Sequence, residues 1–437
     1  MIIIFLIIFF ISFYRTDIGI LIVTISLSTV VIPFLYQPIP GIGGIQSSDF
    51  ALMGIAANLL LYKKLNLNRD KRIFIFICLW FLLIAIIEIL PGGKGINASY
   101  NLFIRTGLLW LVPVAAMTIP IERRKRIFLY LIGCALFITV IQAYAFIGKN
   151  PAFVVRTYYQ FQNPDFFANP EENLRYYYEA GILPRIYPSG ALLVQMVTIF
   201  LIGVLLGKKV RSRLETVALF CAVVAFFGFI ISLRQRSAMI SLCISLVFLL
   251  IGQAKINNRR KSPVLIFSLG LAILVGVGIF EKVFNYSFIE ELTAHFKESL
   301  FNVPNRMLDN GLAKSALLRS PLFGVGRPNL IEEAKASGLN TLGRDVHPFL
   351  AAGLLAGIPL IIMVCKLIFD LYRRYRLRQK APHPWVMVAE ASAILYVLLL
   401  AFANTAPIFT SEKDMVPFLI FSGLFLSSSN KNNPPKR

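Results

Sequence analysis

The sequence predicts an all-α polytopic membrane protein with about 12–13 transmembrane helices, and three observations predict it. Hydrophobic residues make up 57% of the 437-residue chain and charged residues only 15%, whereas a soluble domain is nearer half apolar and about a quarter charged. The apolar residues come in runs of roughly 17–25, the length that crosses a hydrocarbon core as a helix. Basic clusters fall in short loops at every second helix end, which is the positive-inside pattern. The short alternating strands of an outer-membrane barrel are absent from the sequence.

Taken in order, the candidate spans are 2–14, 18–36, 47–62, 73–90, 100–119, 127–148, 188–206, 214–232, 237–252, 264–280, 347–369, 385–403 and 416–428. Only Arg15 and Asp17 separate the first two. The run from Ile2 to Tyr14 has no basic n-region and no A-x-A site, so it reads as a retained helix and not as a cleaved signal peptide. The basic loops that follow are Lys63 to Arg72, Arg123 to Arg126, Lys208 to Arg213, Lys255 to Lys261 and Arg373 to Lys380, with a basic tail from Lys431 to Arg437. This placement accounts for much of the formal net charge of +22 as topology. It argues against a nucleic-acid partner; the lipid bilayer is the partner it implies. By packing, residues 1–437 read as a single integral membrane domain.

Cys78, Cys134, Cys221, Cys243 and Cys365 all lie inside apolar runs without metal-type spacing. They read as small core residues with no disulfide framework. No internal repeat is visible.

With the basic loops inside, two outside segments are long: 149–187 and 281–346. Long loops on a helical bundle are where function tends to sit. The first carries Tyr158, Tyr159, Tyr176, Tyr177 and Tyr178. Such aromatics read either as sugar-stacking faces or as an interfacial belt. In the second, residues 286–300 have helical spacing, with Phe288, Leu292, Phe296 and Leu300 on one face and Glu290, Glu291, Lys297 and Glu298 on the other. Asn305 is placed to N-cap a further helix running to Leu318. Pro321 blocks its continuation, and the glycines of Pro321 to Gly326 (PLFGVG) permit a tight turn against the bundle. A third short helix is expected over 328–337, stopped by Gly338.

Several chemistries have no residues to support them. No Cys/His cluster suits zinc, no P-loop cradles phosphate, and no D-x-D pair is present to clamp a metal-bound nucleotide sugar. No metal or other cofactor is therefore expected. Glu88 stands out as a carboxylate near a span end, where it can also be an interfacial residue.

The outside face carries arginine instead: Arg234 and Arg236 in a two-helix turn, Arg156, Arg175 and Arg185 in the aromatic loop, and Arg306, Arg319, Arg327 and Arg344 in the last long loop. The positive-inside rule makes such residues scarce there. A planar guanidinium fork suits phosphate oxygens, although any single one of these also reads as a solvated loop residue or a headgroup anchor. His347, beside Pro348, stands where the chain re-enters an apolar run. A neutral imidazole there can take a proton from a hydroxyl; it can equally cap or pack. His295 reads as a surface residue and His383 belongs to an inside basic loop.

Three stretches resemble the O-antigen ligase and O-antigen polymerase superfamily of bacterial membrane glycosyltransferases. Arg236-Ser237-Ala238 opens an apolar helix and is similar to that family's S-R-G-A segment, with Gln235 and Ser237 replacing the usual Ser and Gly. Arg234 therefore competes with Arg236 for the family's arginine. Arg306, a helix, and Ser320 to Gly326 (SPLFGVG) are similar to its R…PL-x-GVG pattern. Val346 to Val364 (VHPFLAAGLLAGIPLIIMV) is similar to its H-N-x-(Y/F)-L…G segment, with Pro348 where Asn is common and no acidic residue before Gly357. The three cover roughly residues 230–365 in the family's order.

The resemblance implies a GT-C-type helical bundle with a long helical periplasmic or extracellular loop. It implies a polyprenyl-diphosphate-linked glycan donor and metal-independent, inverting transfer on the outer face of the inner membrane. The acceptor it implies is a lipid A core sugar for a ligase or another glycan for a polymerase. Carried over by position, Arg236 and Arg306, with Arg234 as the competitor, bind the diphosphate, and His347 acts at the acceptor hydroxyl. Arg185, Tyr176 and Tyr177 are the expected glycan or acceptor contacts in the aromatic loop. A lipid-glycan flippase is the reading of another class; it would more often show internal pseudo-repeats and broken helices, and the sequence displays neither.

Overall fold

A computed structural model describes residues 2–28, 36–39, 43–62, 69–90, 95–147, 190–207, 213–232, 236–257, 311, 313–324, 347–381, 383–402, 409 and 412–428. Described helices are α1 (Ile2–Tyr14), α2 (Thr16–Ser28), α3 (Ser47–Leu61), α4 (Arg69–Ile89), α5 (Ile96–Tyr100), α6 (Val112–Thr118), α7 (Ile121–Ile147), α8 (Ala191–Gly207), α9 (Arg213–Ser232), α10 (Arg236–Asn257), α11 (Pro348–Arg376), α12 (Pro384–Phe402) and α13 (Glu412–Ser428). Among the described residues, four helical segments are long and apolar enough to cross a membrane: Arg69–Ile89, Ile96–Thr118, Phe349–Arg376 and Pro384–Ala401. Seven more apolar helices are shorter. The architecture is that of an all-α membrane protein. The expected span 264–280 lies outside the described residues.

α4 shows why these helices belong in lipid. Phe74, Ile77, Cys78, Phe81 and Ala85 are buried, while Phe76, Leu79, Leu83 and Ile86 are exposed along one face. In water the second face would be polar; an apolar face on both sides is what a helix between protein and lipid carries. The same logic corrects the reading of the cysteines. Cys78 and Cys134 are buried, but Cys221, Cys243 and Cys365 are exposed, and all five are free thiols. Inside a membrane, apolar character does not distinguish core-facing from lipid-facing positions.

The chain divides into two compact units. The first contains residues 1–197 together with 366–371 and 411–437. Here Arg15 separates α1 from α2 and grips Asp17 with two parallel hydrogen bonds, Nε to Oδ1 at 3.0 Å and Nη2 to Oδ2 at 2.9 Å. α1 packs along α3, where Asn58 Nδ2 donates to the Phe13 carbonyl at 2.6 Å and Phe5 stacks on Phe50. Residue 36, expected at a helix end, instead begins a two-stranded antiparallel hairpin of β1 (Tyr36–Ile39) and β2 (Gly43–Gln46), with Tyr36 paired to Gln46 and Ile39 to Gly43.

A buried ionic knot ties this hairpin to the bundle. Asp49, fully buried in the first turn of α3, accepts from the Gln46 backbone N–H at 2.9 Å and from the Tyr100 hydroxyl at 2.9 Å. It also pairs with Arg105 at 3.4 Å, and Arg105 Nη2 donates to the Gly44 carbonyl. Arg105 is delivered by a π-helical stretch, Asn101–Gly107, between α5 and a 3-10 turn, Leu108–Leu111. Widened helix of this kind re-aims side chains. Asp49→Asn keeps the shape and removes the charge, leaving a part-buried guanidinium uncompensated. It is expected to cost about 1–3 kcal/mol, read as a lower thermal midpoint in detergent; an unchanged midpoint contradicts the structural role assigned to the knot. Glu88, by contrast, is only half-buried; among the described residues the fully buried acids are Asp17, Asp49 and Glu390.

The second unit contains residues 198–365 and 372–410. Small residues let its helices approach closely, as in other membrane bundles. A methyl group on Gly203 would lie 2.5 Å from Ala389 Cβ, and one on Gly252 would lie 2.6 Å from Val388 Cγ1. Gln253 Nε2, on α10, donates to the Trp385 carbonyl of α12 at 2.9 Å.

Candidate functional site

α11 begins where an imidazole, a proline and a helix N-terminus meet. His347 is the N-cap, with φ −54° and ψ 130°. Pro348 occupies the first helical position, where its missing N–H costs nothing, and it holds the preceding residue extended. The Phe349 N–H points at His347 Nδ1 across 3.4 Å, at the long limit of a hydrogen bond, while the His347 carbonyl accepts from Ala351 N at 2.9 Å. The ring stacks on Phe349 with centroids 5.5 Å apart, and Phe349 in turn meets Phe409 at 5.7 Å.

Partial burial lowers the His347 pKa below the ordinary value of 6.5. A positive helix end disfavours the imidazolium in the same direction. The ring is therefore neutral at pH 7, as a proton acceptor must be. With Nδ1 as acceptor, the neutral ring carries its proton on Nε2. Taking a second proton on Nδ1 requires that the weak Phe349 contact be released.

About three turns further on, α11 is broken. Ala356 (φ −148°, ψ 25°) and Gly357 (φ 80°, ψ 177°) are non-helical, and Pro359 follows. Pro359 cannot donate a backbone hydrogen bond and crowds the carbonyl four residues back, which favours a break one turn ahead of it. This corrects the expectation that broken helices are absent.

The break is met by the turn Ser320 to Gly324 (SPLFG). Residues 313–319 are helical, and Ala313, Ala316 and Leu317 pack on Leu354, with Leu350, Ala351 and Ile361 around them. The chain then turns at Pro321, where the sequence predicts that the helix stops. Gly324 N donates to the Ser320 carbonyl at 2.9 Å, and the Pro321 carbonyl accepts from Ile358 N at 2.7 Å. Ile358 thus bonds to the turn.

Glycine is required on both sides. Gly324 has φ +74° and a Cβ there would run into the Leu354 carbonyl oxygen; Gly357 has φ +80° and a Cβ there would run into the Leu322 carbonyl oxygen. Both obstacles are backbone, so neither can swing away, and both dihedrals are ones that L side chains avoid.

Of the residues singled out from the sequence, the structure therefore brings Ser320 to Gly324 onto the helix that starts at His347. Arg236 is the first residue of α10, as expected for an arginine opening an apolar helix. Arg319 ends the helical stretch 313–319 and is exposed, and His383 is exposed. Arg234, Arg306, Arg185, Tyr176 and Tyr177 lie outside the described residues, as do His295, Arg156, Arg175, Arg327, Arg344 and the expected helices 286–300 and 328–337. Sequence reasoning missed the part played by Gly357; its signal was a glycine two residues before a proline inside an apolar run. Comparison of the chain with family models, with curated proteins and with solved structures gives no match.

Proposed function

We propose that this protein is a membrane glycosyltransferase that moves a glycan from a polyprenyl diphosphate to an acceptor hydroxyl on the outer face of the bacterial inner membrane. In this reading the chain is a GT-C-type bundle of about 12–13 spans with segment 281–346 as a periplasmic or extracellular loop. The acceptor is a lipid A core sugar if the enzyme is an O-antigen ligase, and a second glycan repeat if it is a polymerase. One observation carries the reading: the turn Ser320 to Gly324 and the helix begun by His347, two of the three stretches that resemble the superfamily, dock through their backbones.

The chemistry follows from the residue types. The acceptor oxygen forms a bond to the anomeric carbon on the face opposite the leaving group, which inverts the centre. Its proton passes to His347. The bond from the anomeric carbon to the diphosphate breaks, and the electron pair leaves on the bridging oxygen. Arg236 and Arg306 hold the diphosphate and stabilise that charge, with Arg234 as the alternative to Arg236. Fixed cations are worth more in a partly dry site than in water, so this constellation supplies leaving-group stabilisation without a metal. Arg185, Tyr176 and Tyr177 would contact glycan or acceptor.

Purified protein in vesicles, given lipid-linked glycan and acceptor in the presence of EDTA, is expected to extend the acceptor. The break in α11 favours a second reading, a lipid-glycan transporter, since discontinuous helices are common at transport sites. A transporter would move the lipid-linked glycan between leaflets and leave it chemically intact, so an unextended acceptor with relocated donor decides for it.

A further inference from the structure

We infer that Gly324 and Gly357 are positioning residues: their backbone interlock fixes the His347 end of α11 against residues 313–324. The inference rests on the glycosyltransferase reading for its consequence in catalysis, but its geometric half stands apart from it.

Helical geometry is lost at Ala356–Gly357, between the N-terminal part, residues 348–355, and the rest of α11. That part carries His347 at its tip, about 15 Å from the break at helical rise. Left alone, it is a lever on a glycine hinge. The turn removes the freedom. Its Pro321 carbonyl takes the Ile358 N–H at 2.7 Å, and its Leu322 and Gly324 backbones lie against Gly357 and Leu354 with no room for a methyl group between. The helical stretch 313–319 then lies along the lever, with Leu317 and Ala313 against Leu354.

The lever is thus held at its hinge and along its side by the same segment. That segment is preceded, a few residues upstream, by Arg306. A base and a diphosphate-binding arginine must keep one separation for attack and departure to be in line. The interlock holds in place the stretch that carries the base.

The test uses the full-length protein in membranes. Gly324→Ala and Gly357→Ala break the interlock. Gly133→Ala is the control, because a methyl group at Gly133 meets nothing within 4 Å. Pro321→Gly loosens the turn without putting any atom into the interface, so it serves if the alanine variants fail to reach the membrane. Two quantities are read: the rate at which diethyl pyrocarbonate modifies His347, mapped by peptide mass spectrometry, and the kcat and KM of glycan transfer.

Both alanine variants are expected to speed His347 modification severalfold and to lower kcat by about 10²-fold, the size of effect a misplacement of about 1 Å produces, while KM for the donor stays near wild type. Pro321→Gly is expected to show the same directions with smaller size. An unchanged modification rate in every variant that reaches the membrane overturns the interlock as the element that holds His347. Faster modification with undiminished transfer leaves the clamp standing and overturns its role in catalysis. Faster modification in a wild-type background that transfers nothing supports the clamp and counts against the glycosyltransferase reading instead.

Discussion

His347→Gln is expected to lower turnover by about 10²–10⁴-fold, the usual worth of a positioned general base, while the lipid-linked donor still binds. Glutamine keeps a hydrogen-bonding group of similar reach and lacks a titratable nitrogen, so it separates base catalysis from simple contact; His347→Ala is expected to fail equally. His295→Ala is the control and is expected to retain most activity. The pH dependence adds a second check. Because burial lowers the His347 pKa below 6.5, the neutral ring persists to lower pH than an ordinary imidazole. The acidic limb of the wild-type profile is therefore expected below pH 6.5, and it should vanish in His347→Gln. The sign for stability is the same: what the neutral ring contributes is fully present above 6.5 and is lost as pH falls through the lowered value. A His347→Gln enzyme near full activity would leave the acceptor proton to water or to another group.

The second large effect is expected at the arginines. Arg236→Lys and Arg306→Lys keep the charge and lose the planar fork, so bidentate contact with a diphosphate becomes impossible. Loss of one preorganised stabilising donor costs about 10²–10³-fold in kcat, and each variant should fall in that range at normal membrane levels. Arg234→Lys tested beside Arg236→Lys decides which of the two is the binding residue; the one whose replacement is silent is the bystander. Arg373→Lys, at the other end of α11, should change little. Full activity in both Arg236→Lys and Arg306→Lys contradicts the diphosphate site.

Much of the helical framework was legible because hydropathy reports apolar length directly. The spans expected at 2–14, 47–62 and 214–232 fall within a residue or so of α1, α3 and α9. α7 was expected from residue 127, yet it starts at Ile121, because its first turns carry the basic cluster Arg123 to Arg126. A hydropathy window cannot see a helix that continues past the membrane edge. The hairpin at Tyr36–Gln46 was hidden inside an expected loop, although Pro38 and the glycines 43 and 44 mark it. The π-helical turn that delivers Arg105 has no sequence signal, since any apolar run can widen locally when a tertiary contact rewards it.

At the candidate site the split is similar. His347 at a helix start and the turn after Pro321 follow from local rules about proline and glycine. The break at Ala356–Gly357 is only half legible: Gly357 and Pro359 mark a weak point in the apolar stretch Leu354 to Leu360, but nothing local says which backbone docks there. What creates it is tertiary: a backbone from elsewhere in the chain supplies the hydrogen-bond acceptor that Ile358 would otherwise find within its own helix.

The most direct measurement is the fate of the leaving group. Purified wild-type protein is mixed with a polyprenyl-diphosphate-linked glycan and an acceptor, and free polyprenyl diphosphate is quantified against glycan joined. One molecule of polyprenyl diphosphate is expected to be released for each glycan transferred, with release abolished in His347→Gln. Donor that remains intact with active, correctly inserted protein, or glycan transfer without release of the diphosphate, contradicts it.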